Sequence, residues 1–202
     1  MPYPDPFYPV IDSLAWLKRL TALGVGTVQL RAKNLDADGA RALVREALRL
    51  TRGSATKLVV NDYWQAAIDE GAAHVHLGQE DLADADVAAI RKAGLTLGLS
   101  THDDAELDNA LRHAPDYVAL GPIFFTTLKA MRFAPQGVAK IGEWKKRIGA
   151  IPLVAIGGIK LEQADEVFAA GAESIAVVSD VTQHPDPDTR VKAWLDRTRE
   201  TV

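Results

Sequence analysis

Lys57-Leu-Val-Val-Asn-Asp-Tyr-Trp-Gln-Ala-Ala-Ile-Asp-Glu-Gly-Ala-Ala-His-Val-His-Leu77 holds a complete folding unit in a single pass. Lys57–Val60 is a short β-branched run and reads as a strand, and residues 62–70 carry helical spacing. Gly71 stands where a helix ends on a left-handed residue, and His74–Leu77 reads as the next strand. Outward from this unit the same pattern repeats. Strand-like runs fall at Phe7–Ile11, Thr27–Leu30, Thr96–Leu99, Tyr117–Leu120, Leu153–Ile156 and Ser174–Val178, which makes eight with the two above. Helical spacing covers 13–23, 41–50, 84–93, 103–113, 138–147, 161–170 and 187–199, clearest in Leu43, Val44, Ala47, Leu48 and Leu50. Gly24, Gly94 and Gly171 repeat the stop signal of Gly71. Regular alternation of strand and helix implies a parallel sheet with helical crossovers. Eight units in 202 residues predict a (β/α)8 TIM barrel, at the low end of its size range. A doubly wound open sheet is the alternative; eight strands and no early glycine-rich dinucleotide fingerprint favour the barrel. No shift in composition marks a boundary, so residues 1–202 read as one domain.

Hydrophobic residues make up 48% and charged residues 25%, and the formal charge is −4. A mildly acidic chain has no positive field to draw nucleic acid or an anionic membrane, so small-molecule partners are expected, with a homo-oligomer left open. Cysteine is absent, which excludes disulfides, thiolate metal sites and a cysteine nucleophile. Met1-Pro-Tyr-Pro-Asp-Pro6 has no basic segment leading into an apolar run, and no apolar stretch is long enough to span a bilayer. The expected location is cytoplasmic.

In a barrel of this type the chemistry sits at the C-terminal ends of the strands. Polar residues occur at those places. After the second strand, Gln29, Arg31 and Lys33 alternate, and would face one way if the strand extends that far. Two cations and an amide suit a diphosphate; solvated loop charges are the equal alternative. Asn61-Asp62 follows the third strand and Gly78-Gln-Glu-Asp81 the fourth. Each can simply open a helix, yet Asp62 and Asp81 can also share a Mg²⁺ ion, which takes one or two protein carboxylates. Ser100-Thr-His-Asp103 offers a ligand contact at Ser100, with Thr101 or His102 as a helix cap. The turn-rich stretch Gly121–Gly137 contains Thr126, Thr127 and Lys129, suited to a phosphate. Gly157-Gly158 and Val178-Ser179-Asp180 supply N–H-rich loops after the last two strands, the usual barrel phosphate site.

The chain resembles the thiamine phosphate synthase family. The resemblance rests on Gln29-Leu-Arg-Ala-Lys33, Val60-Asn-Asp62, His76-Leu-Gly-Gln-Glu-Asp81, Gly98-Leu-Ser-Thr-His102, Tyr117-Val-Ala-Leu-Gly-Pro-Ile-Phe124 and Ala155-Ile-Gly-Gly-Ile159, in order, from about Tyr8 to Val181. It implies a transferase joining an aminopyrimidine methyl diphosphate to a thiazole phosphate, with release of pyrophosphate. Diphosphate leaves first, and the thiazole nitrogen captures the resulting pyrimidinyl cation. By the same resemblance Gln29, Arg31, Lys33, Asn61 and Lys129 hold the diphosphate, with Arg31, Lys33 and Lys129 as the catalytic cations. Asp62 and Asp81 bind Mg²⁺, Ser100 meets the pyrimidine, and Thr126, Thr127, Gly158, Val178 and Ser179 hold the thiazole phosphate. Two departures stand out. Ala32 replaces a common acidic residue, and Leu128 replaces a threonine, removing one hydroxyl that Arg132 is expected to offset. Three other readings stay open. A thiazole tautomerase would need neither the metal nor the diphosphate site. A non-catalytic phosphate-ligand-binding barrel is favoured only by Leu128. A Schiff-base aldolase using Lys129 leaves the paired aspartates unexplained.

Overall fold

The structure is a computed structural model that describes residues 3–126 and 133–199. Eight parallel strands close into a ring: β1 (Phe7–Ile11), β2 (Thr27–Leu30), β3 (Lys57–Asn61), β4 (His74–Leu77), β5 (Thr96–Thr101), β6 (Tyr117–Leu120), β7 (Leu153–Ile156) and β8 (Ser174–Val177). Each strand pairs with the next in sequence, and β8 returns to β1 through Phe7↔Ile175, Tyr8↔Ala176 and Pro9↔Val177. The barrel predicted from the alternation is therefore the fold.

The helices between strands are α1 (Leu14–Ala22), α2 (Ala37–Thr51), α3 (Trp64–Asp69), α4 (Gln79–Ala83), α5 (Val87–Lys92), α6 (Asp104–Arg112), α7 (Val138–Ile148), α8 (Ala164–Ala169), α9 (Ser179–Thr182) and α10 (Pro187–Arg199). Local chemistry sets their ends. The Asp36 carboxylate caps α2 by accepting the Gly39 N–H at 2.8 Å, so the helix starts four residues before Arg41. Asp103 caps α6 through the Glu106 N–H at 2.8 Å. Gly24, Gly71, Gly94 and Gly171 all adopt positive φ just past helices, as their spacing predicts. One face of each long helix is buried against the sheet: Ala40, Val44 and Ala47 on α2, and Ile141, Trp144 and Ile148 on α7.

Three strand ends differ from the sequence reading. Asn61 joins β3 because it pairs with His76, and β5 runs on to Thr101 because Ser100 and Thr101 pair with Ala119 and Leu120. β8 stops one residue early, at Val177. Two short helices were not separated from their loops: α4, for which a helix start was one of the alternatives, and α9.

Side chains pack on both sides of the ring. A large apolar layer lies between strands and helices, and a smaller one fills the barrel with Tyr8, Val10, Val59, Tyr117, Ala119, Val154 and Ala176. The Tyr117 ring crosses the interior toward β5, where a Cβ on Gly98 would lie 2.0 Å from its Cζ. No other residue fits there without displacing the ring. Gly98→Ala is therefore expected to cost about 1–3 kcal/mol by overpacking. Thermal unfolding should show it, at roughly 2–4 °C for each kcal/mol in a domain of this size. An unchanged Tm would mean that the ring does not occupy that space.

Candidate active site

A cavity of about 350 Å³ opens at the C-terminal ends of the strands. All eight strands or the loops that follow them contribute walls. Of the residues singled out from sequence, Gln29, Arg31, Asn61, Ser100, Thr126, Gly158, Val178 and Ser179 line it. Asp62 and Lys33 stand beside it, joined by an ion pair of 2.8 Å, and Asp62 in turn contacts Asp81. Residues from the ends of β2, β3 and β4 thus meet at one place on the rim. Thr127, Leu128, Lys129 and Arg132 lie outside the described residues.

β2 ends at Leu30, so strand alternation carries Gln29 and Arg31 to the cavity but does not extend to Lys33. Lys33 turns to Asp62 instead. Its side chain is 49% exposed while that of Asp62 is 14% exposed, so the pair sits at the boundary with solvent. Asp62 adopts φ +64, a left-handed conformation that Asp tolerates better than most residues, and its N–H is anchored on the His76 carbonyl at 2.9 Å. Just before it, Asn61 is buried, and its side-chain Nδ2 has no hydrogen-bond partner among the described residues. Buried amides are rarely left so. Here the amide faces the cavity, where a ligand oxygen would satisfy it.

Burial first, and the adjacent Asp62 carboxylate second, push the Asp81 carboxyl above its ordinary range, with Lys33 opposing. Two carboxylates in contact repel when both are ionised, and a divalent cation between them removes that cost. The described residues contain no cluster of three or more His, Asp or Glu able to hold a metal. Two carboxylates nonetheless fit Mg²⁺, which keeps several water or phosphate oxygens in its shell.

The opposite wall is built from backbone. Gly158 has φ +69, and a Cβ there would lie 2.4 Å from the Phe125 carbonyl oxygen, so the loop after β7 packs directly on the loop after β6. The Phe124 N–H donates to the Gly157 carbonyl at 2.9 Å and fixes this contact. Ser179 opens α9 just after β8. Asp180 faces away: its carboxylate accepts from Arg190 at 2.8 and 2.9 Å and from Trp194 Nε1 at 2.7 Å, tying α10 to the barrel top.

The sequence reading assigned no role to several residues that line the cavity. Tyr8, Asp12, Trp16 and His76 are among them, and His102 sits at the edge, held by Glu106 at 2.7 Å and stacked on Phe133. The signal for His76 was strand alternation, because it falls between Val75 and Leu77, which pack outward against the helices. Burial holds the His76 imidazole down at about 4, against the opposing pull of Asp62, so the ring is neutral near pH 7.

The family model described as thiamine monophosphate synthase matches residues 7–181. The chain belongs to the thiamine monophosphate synthase family. Among its relatives, the thiamine-phosphate synthase of Rhizobium etli is 54% identical over 194 residues, covering 96% of this chain and 95% of that one. The thiamine-phosphate synthase of Neisseria meningitidis serogroup A is 48% identical over 191 residues, covering 95% and 93%. In three dimensions the chain is similar to the thiamine phosphate pyrophosphorylase of Pyrococcus furiosus. That comparison has a TM-score of 0.83 at 25% identity and covers 97% of this chain and 96% of that one. A match to 3-hexulose-6-phosphate synthase, with a TM-score of 0.70 at 15% identity, reflects the shared fold.

A half-exposed ion pair contributes only about 0–1 kcal/mol. Lys33→Ala should therefore lower Tm by no more than about 4 °C. A larger drop in calorimetry would show that Lys33 is there for stability.

Proposed function

We propose that this thiamine monophosphate synthase family member joins an aminopyrimidine methyl diphosphate to a thiazole phosphate, releasing pyrophosphate. The meeting of Lys33, Asp62 and Asp81 beside a cavity that also holds Arg31 and an unpartnered Asn61 amide carries the reading. A diphosphate needs cations and donors on one wall, and this wall has them.

In this reading Gln29, Arg31, Lys33, Asn61 and Lys129 hold the diphosphate, and Asp62 and Asp81 hold Mg²⁺. Bound there, Mg²⁺ would neutralise charge that grows on the departing oxygens. Arg31 and Lys33 supply fixed positive charge at the same place, so the C–O bond can break with both electrons leaving on pyrophosphate. Ser100 meets the pyrimidine that remains as a cation. Thr126, Thr127, Gly158, Val178 and Ser179 hold the thiazole phosphate so that its ring nitrogen faces the cationic carbon. Positioning accounts for much of the rest, since no nucleophile from the protein is needed. The apolar barrel residues Val10, Ala119 and Val154 below the site limit water that would otherwise capture the cation.

Supplying both substrates with Mg²⁺ should release pyrophosphate and form thiamine phosphate, and a chelator should stop both. Asp62→Asn should lose orders of magnitude in kcat while melting normally. Lys33→Ala should raise KM for the pyrimidine diphosphate by about 10- to 100-fold, the range for a lost charge-assisted hydrogen bond, with little change for the thiazole phosphate. Chelator-insensitive isomerisation of thiazole phosphate alone would support the tautomerase instead. Full activity in Asp62→Asn would remove the carboxylates from the mechanism.

A further inference from the structure

In the barrel interior that floors the cavity, four hydrogen bonds form one continuous line running from Gln29 to Ser100, both of which line the cavity themselves. The Gln29 side-chain nitrogen donates to the Tyr8 phenol oxygen at 2.8 Å. Tyr8 and Tyr117 hydroxyls are 2.8 Å apart. Tyr117 meets His76 Nδ1 at 2.8 Å, and His76 Nε2 meets Ser100 Oγ at 2.8 Å. Tyr8, Tyr117, Gln29 and His76 are all buried, while Ser100 is half-buried and lines the cavity.

The direction of this line is set at one end. The Gln29 nitrogen can only donate, so Tyr8 accepts there and its own hydrogen has Tyr117 as its acceptor. Tyr117 has then received one hydrogen and passes its own to His76 Nδ1. A neutral imidazole accepting at Nδ1 carries its proton on Nε2, which donates to Ser100. The reverse order would leave the Tyr8 hydroxyl hydrogen with no acceptor in a buried site, a cost of about 1–3 kcal/mol.

A serine hydroxyl alone can donate or accept. We infer that the Gln29–Tyr8–Tyr117–His76 relay makes Ser100 a dedicated donor, aimed at a ring nitrogen of the bound pyrimidine. His76 and the two tyrosines are then positioning residues for the pyrimidine, acting only through Ser100. Their consequence is specificity: a ring that presents an acceptor is favoured over one that presents an N–H at the same point. This rests on the reading of Ser100 as a pyrimidine contact given under Proposed function.

Two experiments test it, one without substrate. ¹⁵N NMR of the free protein, with the His76 signals assigned by His76→Asn, should show His76 neutral with its proton on Nε2. A proton on Nδ1 overturns the relay, whatever the enzyme turns over. The second is a double-mutant cycle read as KM for the pyrimidine diphosphate. Ser100→Ala and His76→Asn should each raise that KM by about tenfold, the cost of one lost hydrogen bond. Together they should raise it no more than Ser100→Ala alone, within twofold, with KM for thiazole phosphate unchanged throughout. His76→Gln, which keeps an N–H over Ser100, should give a smaller rise than His76→Asn. Multiplying effects in the double variant would mean a merely structural histidine, and an unchanged KM in Ser100→Ala would mean that its hydroxyl is not used. Both outcomes overturn the proposal. Absence of thiamine phosphate formation by the unaltered protein would sink the proposed function, leaving the NMR result to judge the relay.

Discussion

Pairing of β8 with β1 closes the sheet, and every feature of the site follows from that closure. In an open sheet the ends of β2 and β8 would lie far apart, at different places along one edge. In the ring, Arg31 after β2, Asn61 at the end of β3, Ser100 on β5, Gly158 after β7 and Ser179 after β8 all border one cavity. Parallel strands point the same way, so each contributes its C-terminal end to the same face. The register then decides which residues arrive. Asn61 opposite His76 and Ser100 opposite Ala119 bring polar side chains to the last rungs of the ladder, and the loops beyond carry the charges.

Closure also creates a confined interior. Most of it is filled with apolar side chains, as a packed barrel requires. Two tyrosines, a glutamine and a histidine share that space, and each finds a partner. Buried polar groups in a low-dielectric interior are costly unless paired, and when paired they hold one another rigidly. The floor is finished in the same manner: the Asp5 carboxylate takes the Thr27 hydroxyl and Lys57, and its carbonyl accepts the Ser174 hydroxyl at 2.8 Å. The site therefore rests on a stiff base, while the loops above it carry charged groups such as Arg31, Lys33 and Asp62.

The strands were legible because β-branched runs recur eight times, four of them preceded by the glycine stops Gly24, Gly71, Gly94 and Gly171, and the helices because their apolar residues recur at helical spacing. α4 and α9 were not separable, since five and four residues make little more than one turn and leave no room for apolar spacing to repeat. Most of the candidate site was legible too. Gln29, Arg31, Asn61, Ser100, Gly158 and Ser179 sit at or just beyond the strand ends, where a barrel must place its chemistry. Lys33 shows the limit of that reasoning: alternation lapses when β2 stops at Leu30, and only the attraction of Asp62 accounts for where the ammonium goes. Tyr8, His76 and Tyr117 were passed over because they lie within apolar runs and look like core. Only the hydrogen bonds between strands far apart in sequence reveal them as a connected set. The substrates themselves were never legible from spacing; they came from the family resemblance.

The central claim is that groups from β2, β3 and β4 converge to hold one diphosphate and its ion. A crystal structure grown with pyrophosphate and Mg²⁺ tests this most directly. The ion should lie between the Asp62 and Asp81 carboxylates, with pyrophosphate oxygens on Arg31, Lys33 and the Asn61 amide. An ion held elsewhere, or pyrophosphate bound against the loops after β7 and β8 instead, would contradict the account.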